Sequence, residues 1–466
     1  MKRICVSAGL VALGAVAVHA QYAPGLSYLE TSKPWSFTGV IRGFYDDNYL
    51  TLPKTYPALL PPNNTPGFAH SRDSFGVEVS PGIFYNHSIL DTLLSAGYVY
   101  DLNWYQDREG TTDQTHQFNA RMDHEFSERY KMTVGESFVS AQEPGVLDSA
   151  VISTPLRVAG SNLRNTGTVD FTIQLTRLFD VHVGYANTVY AYQENAGDEA
   201  PANSFASYSA LLDRIDQTAA VDLRWKALPE TTGVLGYQYE HLDYTSPEYI
   251  TYPGTINGFS FPGFRANSRN SDSSYVYLGV DESFTPTLNG SIRAGGEYLY
   301  YYNNAMLVFA PTPGEFVYVK DATHSISPYI DASLTYQYMP QSTAQFGIKE
   351  VHNTTDVPGS AAPGAGGTSP VLDEQSTAVY LSVSHRVTSR FTASALAQAQ
   401  YSSFNGGGST LNGEGEDFYT ANLNFAYHFT PWLTGETGYG YSKLNSQLYN
   451  RSYTRDIVYV GVRATY

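Results

Sequence analysis

The chain has 466 residues, a mean hydropathy of −0.28, 39 tyrosines and only 15% charged residues, with a formal net charge of −17. A soluble domain carries about 25% charged residues, and nucleic-acid binding relies on basic patches that so acidic a chain does not supply. Beyond the first twenty residues no segment is long and apolar enough to form a membrane helix.

The first element in chain order is an export leader, residues 1–20. Lys2 and Arg3 give the positive end, Val6 to Val18 the apolar run, and Val18-His19-Ala20 a small-x-small cleavage site before Gln21. The apolar run falls short of the ~20 residues a span needs. Cys5, the single cysteine, leaves with the leader, and a cysteine-free mature chain suits an oxidising compartment. Cleavage also leaves 25 basic against 44 acidic residues, a mature charge of −19. The mature part, 21–466, reads as one domain.

From there the chain is a series of hairpins. Strands are expected near 35–46, 73–86, 92–105, 114–126, 130–141, 166–178 and 180–193, then 213–226, 231–245, 272–284, 289–302, 324–338 and 342–352. The last five lie near 375–387, 390–402, 416–429, 433–444 and 453–466. Each alternates with a period of two, as in Val169, Phe171, Ile173 and Leu175 against Asp170, Thr172, Gln174 and Thr176. Tight turns such as Ala227-Leu-Pro-Glu230 and Phe429-Thr-Pro-Trp-Leu433 join the pairs. Long stretches rich in Pro, Asn, Gly and Ser separate them, among them 51–72, 142–164, 194–211, 246–270, 303–323, 353–373 and 402–416. The glycine runs Gly364–Gly367 and Gly406–Gly408 read as loop, because a phosphate cradle needs a Lys-Ser/Thr ending and a following helix. One stretch fits poorly: Glu136 shares a face with Val134 and Phe138.

At the C-terminus Val458, Val460, Val462 and Ala464 alternate with Ile457, Tyr459, Gly461, Arg463 and Thr465, and the segment ends on Tyr466. One apolar and one mixed face describe a strand between lipid and water. Short turns alternating with long loops give the expected fold: an all-β, single, transmembrane, antiparallel up-and-down β-barrel of about 18 strands (between about 16 and 20), turns periplasmic and loops outside.

A barrel of that width holds a water-filled lumen whose inward residues decide what passes. Alternation places Arg42, Glu78, Arg121, Asp123, Glu125 and Asp170 inward, together with Asp222, Arg224, Arg293, Glu297 and Arg463. Both signs occur, so opposed charges across the lumen could set a transverse field, or the same groups could pair for stability. Inward Tyr275, Tyr277, Tyr380 and Tyr459 suit either stacking on sugar rings or packing against an inserted loop. Outward aromatics near turns, such as Trp225, Tyr427 and Phe429, read as an interface girdle. No catalytic motif surrounds His241, Asp243 and Ser283, and an enzyme is not expected. Asp46-Asp47-Asn48 and Glu414 to Asp417 lack calcium-loop spacing, so no metal or other cofactor is expected.

Taken together, the leader, the hairpin series and the terminal strand ending in Tyr466 resemble the β-barrel porins of Gram-negative-type outer membranes. Well-known barrels of this kind usually end in Phe, so Tyr466 departs from the pattern. The resemblance implies residence in the outer membrane among its lipids. It also implies recognition of Val458, Val460, Val462 and Tyr466 by the barrel-assembly machinery, and association as a trimer. The function expected is passive diffusion of small polar solutes or saccharides with a mild cation preference. The alternatives are an exopolysaccharide export channel and a non-conducting barrel that binds partners through its loops.

Overall fold

The computed structural model describes residues 34–49, 51, 72–107, 112–142, 161–193, 206–251, 253–256, 259–261, 263–309, 316–320, 323–360, 369–408, 411–448 and 451–466. Residues 1–20, expected to be an export leader, and Gly364–Gly367 lie outside them. The described chain is a closed barrel of eighteen antiparallel strands. These are β1 (Trp35–Asp46), β2 (Ser74–Ile89), β3 (Thr92–Tyr105), β4 (Thr112–Ser127), β5 (Tyr130–Ala141) and β6 (Asn162–Gln174). Next come β7 (Phe179–Tyr192), β8 (Arg214–Lys226), β9 (Thr231–Tyr244), β10 (Ser271–Thr285), β11 (Leu288–Tyr301) and β12 (Thr323–Met339). The ring finishes with β13 (Ser342–Asn353), β14 (Ser369–Arg386), β15 (Phe391–Gly406), β16 (Gly415–Thr430), β17 (Leu433–Ser446) and β18 (Tyr453–Thr465).

Each strand pairs with its sequence neighbours, and β18 closes the ring on β1 from Thr38↔Thr465 to Asp46↔Ile457. Closure removes the open edge that lipid could not hydrogen-bond. Eighteen strands ~4.8 Å apart and tilted ~40° make a ring about 35 Å across at the backbone, wide enough for a lumen. The tilt is visible in the register. A row of partners starting at Thr38, near the turn end of β1, runs through Gly82, Val99, Gln117 and Val139. It continues through Arg164, Tyr190 and Arg214 to Tyr244 at the loop end of β9.

Alternation separates two surfaces. Ile41, Val77, Val183, Leu223, Leu278, Leu381 and Val460 stand outward and exposed. The opposite parity carries the polar side chains, including buried Arg42, Glu78, Arg293 and Glu297. Trp225, Tyr427 and Phe429 are exposed on the outward face beside the tight turns, with Phe126, Phe284 and Trp432. An outward aromatic belt of this kind sits at the headgroup level.

Most strand bounds lie within a residue or two of the sequence reading, with four exceptions. β6 runs over Asn162–Gln174 rather than 166–178, because Leu175 already donates its backbone N–H inside the turn, to Phe179 O at 3.0 Å. β2 continues to Ile89, three residues past its expected end. β14 begins at Ser369 and β15 continues to Gly406, both inside stretches expected to be loop. There the paired strands rise beyond the lipid-facing alternation, so the period of two fades while the ladder continues. Gly406, Gly407 and Gly408 (φ 86°, 77° and 69°) form a turn in which Gly407 N donates to Pro370 O at 2.7 Å.

The loop end also carries structure of its own. A short helix α1 (Tyr208–Leu212) is capped by Ser207, whose hydroxyl accepts from Ala210 N at 3.0 Å. A 3₁₀ turn covers Ala266–Arg269, and two-stranded ladders join Gly254–Ile256 to Phe259–Phe261 and Ala305–Phe309 to Phe316–Lys320.

Candidate functional site

The inner wall is built from ion pairs between neighbouring strands. Arg42, midway along β1, donates from Nη1 to Glu78 Oε1 and from Nη2 to Glu436 Oε2, each at 2.8 Å. Arg463 on β18 reaches the other oxygen of Glu436 at 2.5 Å, and the Tyr459 ring lies 5.1 Å from the Arg42 guanidinium. Nine strands away, on the far side of the ring, Asp281 of β10 accepts from Arg224 at 2.5 Å and from Arg293 at 2.8 Å. Arg224 also stands 3.4 Å from His182 Nε2, and Tyr277 donates to Asp222 Oδ1 at 2.6 Å. An unpaired buried charge costs several kcal/mol or about that order, so these groups neutralise one another within the wall. Glu436 and Asp281 are central members that sequence reasoning did not single out. The parity signal was present in both: Glu436 alternates with Tyr439, and Asp281 falls in step with Tyr275 and Tyr277.

Towards the turn end the wall is wet. Arg121 holds Asp123 through two bonds of 2.8 Å, Thr133 donates to Asp123 at 2.7 Å, and Lys131 pairs with Glu125 at 2.6 Å. The side chains of Arg121, Asp123, Lys131 and Glu125 are 60%, 31%, 51% and 56% exposed, so solvent fills this part of the lumen. Asp170 on β6 feels the Arg121 charge without forming an ion pair, and Asp331 on β12 lies near Tyr329 and Tyr380. Glu297 sits higher and is joined to His352 Nδ1 at 2.6 Å.

The four inward tyrosines lie against the wall. Three of them cover a glycine on the adjacent strand: a Cβ at Gly236 would stand 2.1 Å from the Tyr277 ring, at Gly347 2.3 Å from Tyr380, and at Gly438 2.4 Å from Tyr459. Tyr275 packs on Tyr329 with ring centroids 5.5 Å apart, and its hydroxyl donates to Glu240 at 3.3 Å. These rings fill glycine gaps rather than project as free platforms.

At the loop end the lumen is narrowed by chain folded against the inner wall. Ala210, Leu211 and Leu212 of α1, with Ile250, Phe264 and Ala266, bury themselves on Val139 and Ala141 of β5, Tyr192 of β7 and Tyr244 of β9. Arg269, fully buried, ties this mass together. Its Nε donates to Val371 O at 2.8 Å, its Nη1 to Leu211 O at 3.1 Å and Thr355 O at 3.0 Å, and its Nη2 to Val357 O. One side chain therefore joins the loops that follow β7, β9 and β13. Burial pushes its guanidinium down, against the pull of Tyr244, Asp356 and Asp373. Arg451, between β17 and β18, pairs with Asp356 at 2.8 Å and Glu416 at 2.5 Å. Burial would lower Arg451 as well, but those two carboxylates outweigh it and the net direction is up. The sequence held no signal for Arg269, which sits in a non-repeating polar loop.

The other constellations do not assemble. His241 faces outward at the loop end, 2.7 Å from Asp272 Oδ1, whereas Ser283 lies at the turn end of β10 opposite Asn289. Asp46 is held by Arg455 at 2.6 Å and Glu416 by Arg451, and no group of three metal-ligating side chains occurs among the described residues.

A closed antiparallel barrel with an apolar outer belt and a polar inner wall defines an outer-membrane β-barrel. Residues 318–466, covering β12 to β18, match the family described as "Putative beta-barrel porin 2", and the eighteen-strand ring fits such an outer-membrane porin family. No curated protein matches the sequence. Among solved structures, the FrpB iron transporter of Neisseria meningitidis is similar at 8% identity, covering 93% of this chain and 82% of that one, with a TM-score of 0.43. The ferric-catecholate import receptor Fiu of E. coli K12 is similar at 9% identity, covering 93% and 82%, with a TM-score of 0.42. OccAB4 of Acinetobacter baumannii is similar at 11% identity, covering 93% and 99%, with a TM-score of 0.40.

Proposed function

We propose that this barrel is a porin that lets small polar solutes diffuse passively across the outer membrane, with a mild preference for cations. The observation that carries the reading is the wet, ionic turn-end wall around Arg121, Asp123, Glu125 and Lys131. Wall cations are mostly held by neighbouring carboxylates, while Asp170 and Asp331 form no ion pair among the described residues. That imbalance favours cations in a water-filled path. Single-channel conductance of the refolded mature protein in a planar bilayer under a salt gradient tests it. Discrete steps with a cation-leaning reversal potential are expected, and an anion-leaning potential removes the selectivity.

The Arg269 clasp favours a second reading, a barrel whose loop end is closed and whose loops serve to bind partners. Folded protein that gives no conductance steps would put that reading first. Export of an acidic polysaccharide draws no support from a wall in which arginines are already matched by carboxylates.

A further inference from the structure

We propose that the loop-end mass is a pH-operated clasp over the lumen, shut while Asp373 and Glu374 carry protons and released when they ionise. Such a clasp rests on the reading of the lumen as a path for solutes, and regulates entry to it. Both residues stand on β14 beyond the row Thr377↔Tyr401, where outward, exposed Tyr401 marks the lipid boundary, so they lie outside the membrane. Val371, just before them on the same strand, is the residue whose carbonyl receives Arg269 Nε. The strand end that Arg269 grips is therefore the one that carries the two carboxyls.

Both side chains are buried, and neither forms an ion pair among the described residues. Asp373 Oδ1 accepts from Asn405 Nδ2, and Glu374 Oε1 accepts from Ser376 Oγ at 2.8 Å. Their other oxygens, Asp373 Oδ2 and Glu374 Oε2, are buried with no hydrogen-bond partner among the described residues. A buried carboxylate with a bare oxygen is costly, whereas the neutral acid is tolerated. The neighbouring charges do not offset this. Asp373 faces Glu297 of β11, itself joined to His352 of β13, and Arg269, whose guanidinium is turned to backbone carbonyls. Glu374 faces Glu416 of β16, and the nearby Arg451 is already paired with Glu416 and Asp356. Burial pushes Asp373 up to about 7 and Glu374 up to about 8, with the charges of Glu297 and Glu416 acting in the same direction.

The cover is drawn largely from loops. Phe404, the ladder partner of Glu374, packs with Val357, Val371, Leu411 and Leu448. Lifting those loops returns both carboxyls to water and to ordinary values of about 4. The clasped state thus binds more protons than the released one. Its advantage is complete below about pH 4, declines across the neutral range and is gone once the pH passes the clasped-state values.

Cys5 is the only cysteine, so the chain from Gln21 onward takes spin labels at Asn267→Cys, exposed on the 3₁₀ turn, and at Tyr401→Cys on the outward rim. Distances between them are measured in nanodiscs by electron double resonance. A narrow distribution at about pH 6 is expected to broaden by about pH 9, with the ratio of released to clasped protein rising roughly tenfold or more. Asp373→Asn combined with Glu374→Gln is expected to stay narrow at both. Should that pair not fold, Asp373→Asn alone is expected to keep a transition of smaller fold-change. Bilayer conductance at the same pH values separates this from the diffusion reading: loops that release without conductance steps uphold the clasp and remove the diffusion pore. A distribution indifferent to pH, release on acidification, or a double variant that responds like the wild type would each overturn the proposal.

Discussion

Arg269 shows how much a single side chain can organise. Its donors meet four carbonyls from three separate stretches of chain, so the loops after β7, β9 and β13 hold or release together. Replacing it by Met leaves those carbonyls unsatisfied in a buried site, at a cost of about 1–3 kcal/mol for each that water cannot reach. Arg269→Met is therefore expected to raise hydrogen exchange at Ala210 to Leu212, Phe264 and Val357 by orders of magnitude, with protection in the barrel strands unchanged. If the clasp narrows the pore, the same variant shows a larger unit conductance. Unchanged exchange in all three loops would mean that their apolar contacts hold them without it.

Strands obey a different economy, in which side chains on neighbouring strands settle each other's space. Gly236 exists because the Tyr277 ring and Asp222 occupy the volume a side chain would need; its Cβ would come within 2.1 Å of one and 2.5 Å of the other. Gly236→Val is expected to drive Tyr277 off Asp222 and to lower stability by about 1–3 kcal/mol, read as an earlier urea midpoint. Adding Tyr277→Ala should recover part of that loss, since the two changes share one contact. On the outward side, Val460 is two-thirds exposed to lipid in the closing strand. Val460→Arg near mid-membrane is expected to cost about 2–4 kcal/mol and to appear as a reduced folded fraction on unheated gels.

These elements also show what the sequence could reveal. The parity of β1, β8, β11 and β18 was readable because lipid imposes one greasy residue in two, and that is why Arg42, Asp222, Arg293 and Arg463 could be assigned inward. The partners were harder. Arg42 meets Glu436 across 394 positions of chain, a contact that only ring closure creates. Arg269 was not legible at all, since a loop that bonds through backbone carbonyls leaves no side-chain pattern behind. Glu136, which resisted the alternation, stands on the outward parity of β5 over Gly167 of β6, where the missing side chain leaves it room.

For the molecule as a whole, charge is managed by local pairing, and what is left over sets the character of the lumen. Among the described residues Asp170 on β6 and Asp331 on β12 are two of the carboxylates that form no ion pair, and removing both should move selectivity without disturbing the wall. Asp170→Asn with Asp331→Asn is expected to shift the reversal potential in a salt gradient towards zero while unit conductance changes less than two-fold, about the scale of two charges among many. A shift in the opposite direction would place the selecting groups elsewhere.

The seam between β18 and β1 has the same antiparallel register as any hairpin in the ring, and the first and last described strands meet there. Phe37 N donates to Tyr466 O at 3.0 Å and Tyr466 N to Phe37 O at 2.8 Å. In the finished wall the order of strands is thus circular, and no strand is first. A gene rearranged to begin at β10, with a short linker joining Tyr466 to Trp35, encodes the same cylinder but moves the terminal aromatic away from the end. Such a permutant separates two things this chain keeps together: the geometry that closes the wall, and the placing of an aromatic on its last strand.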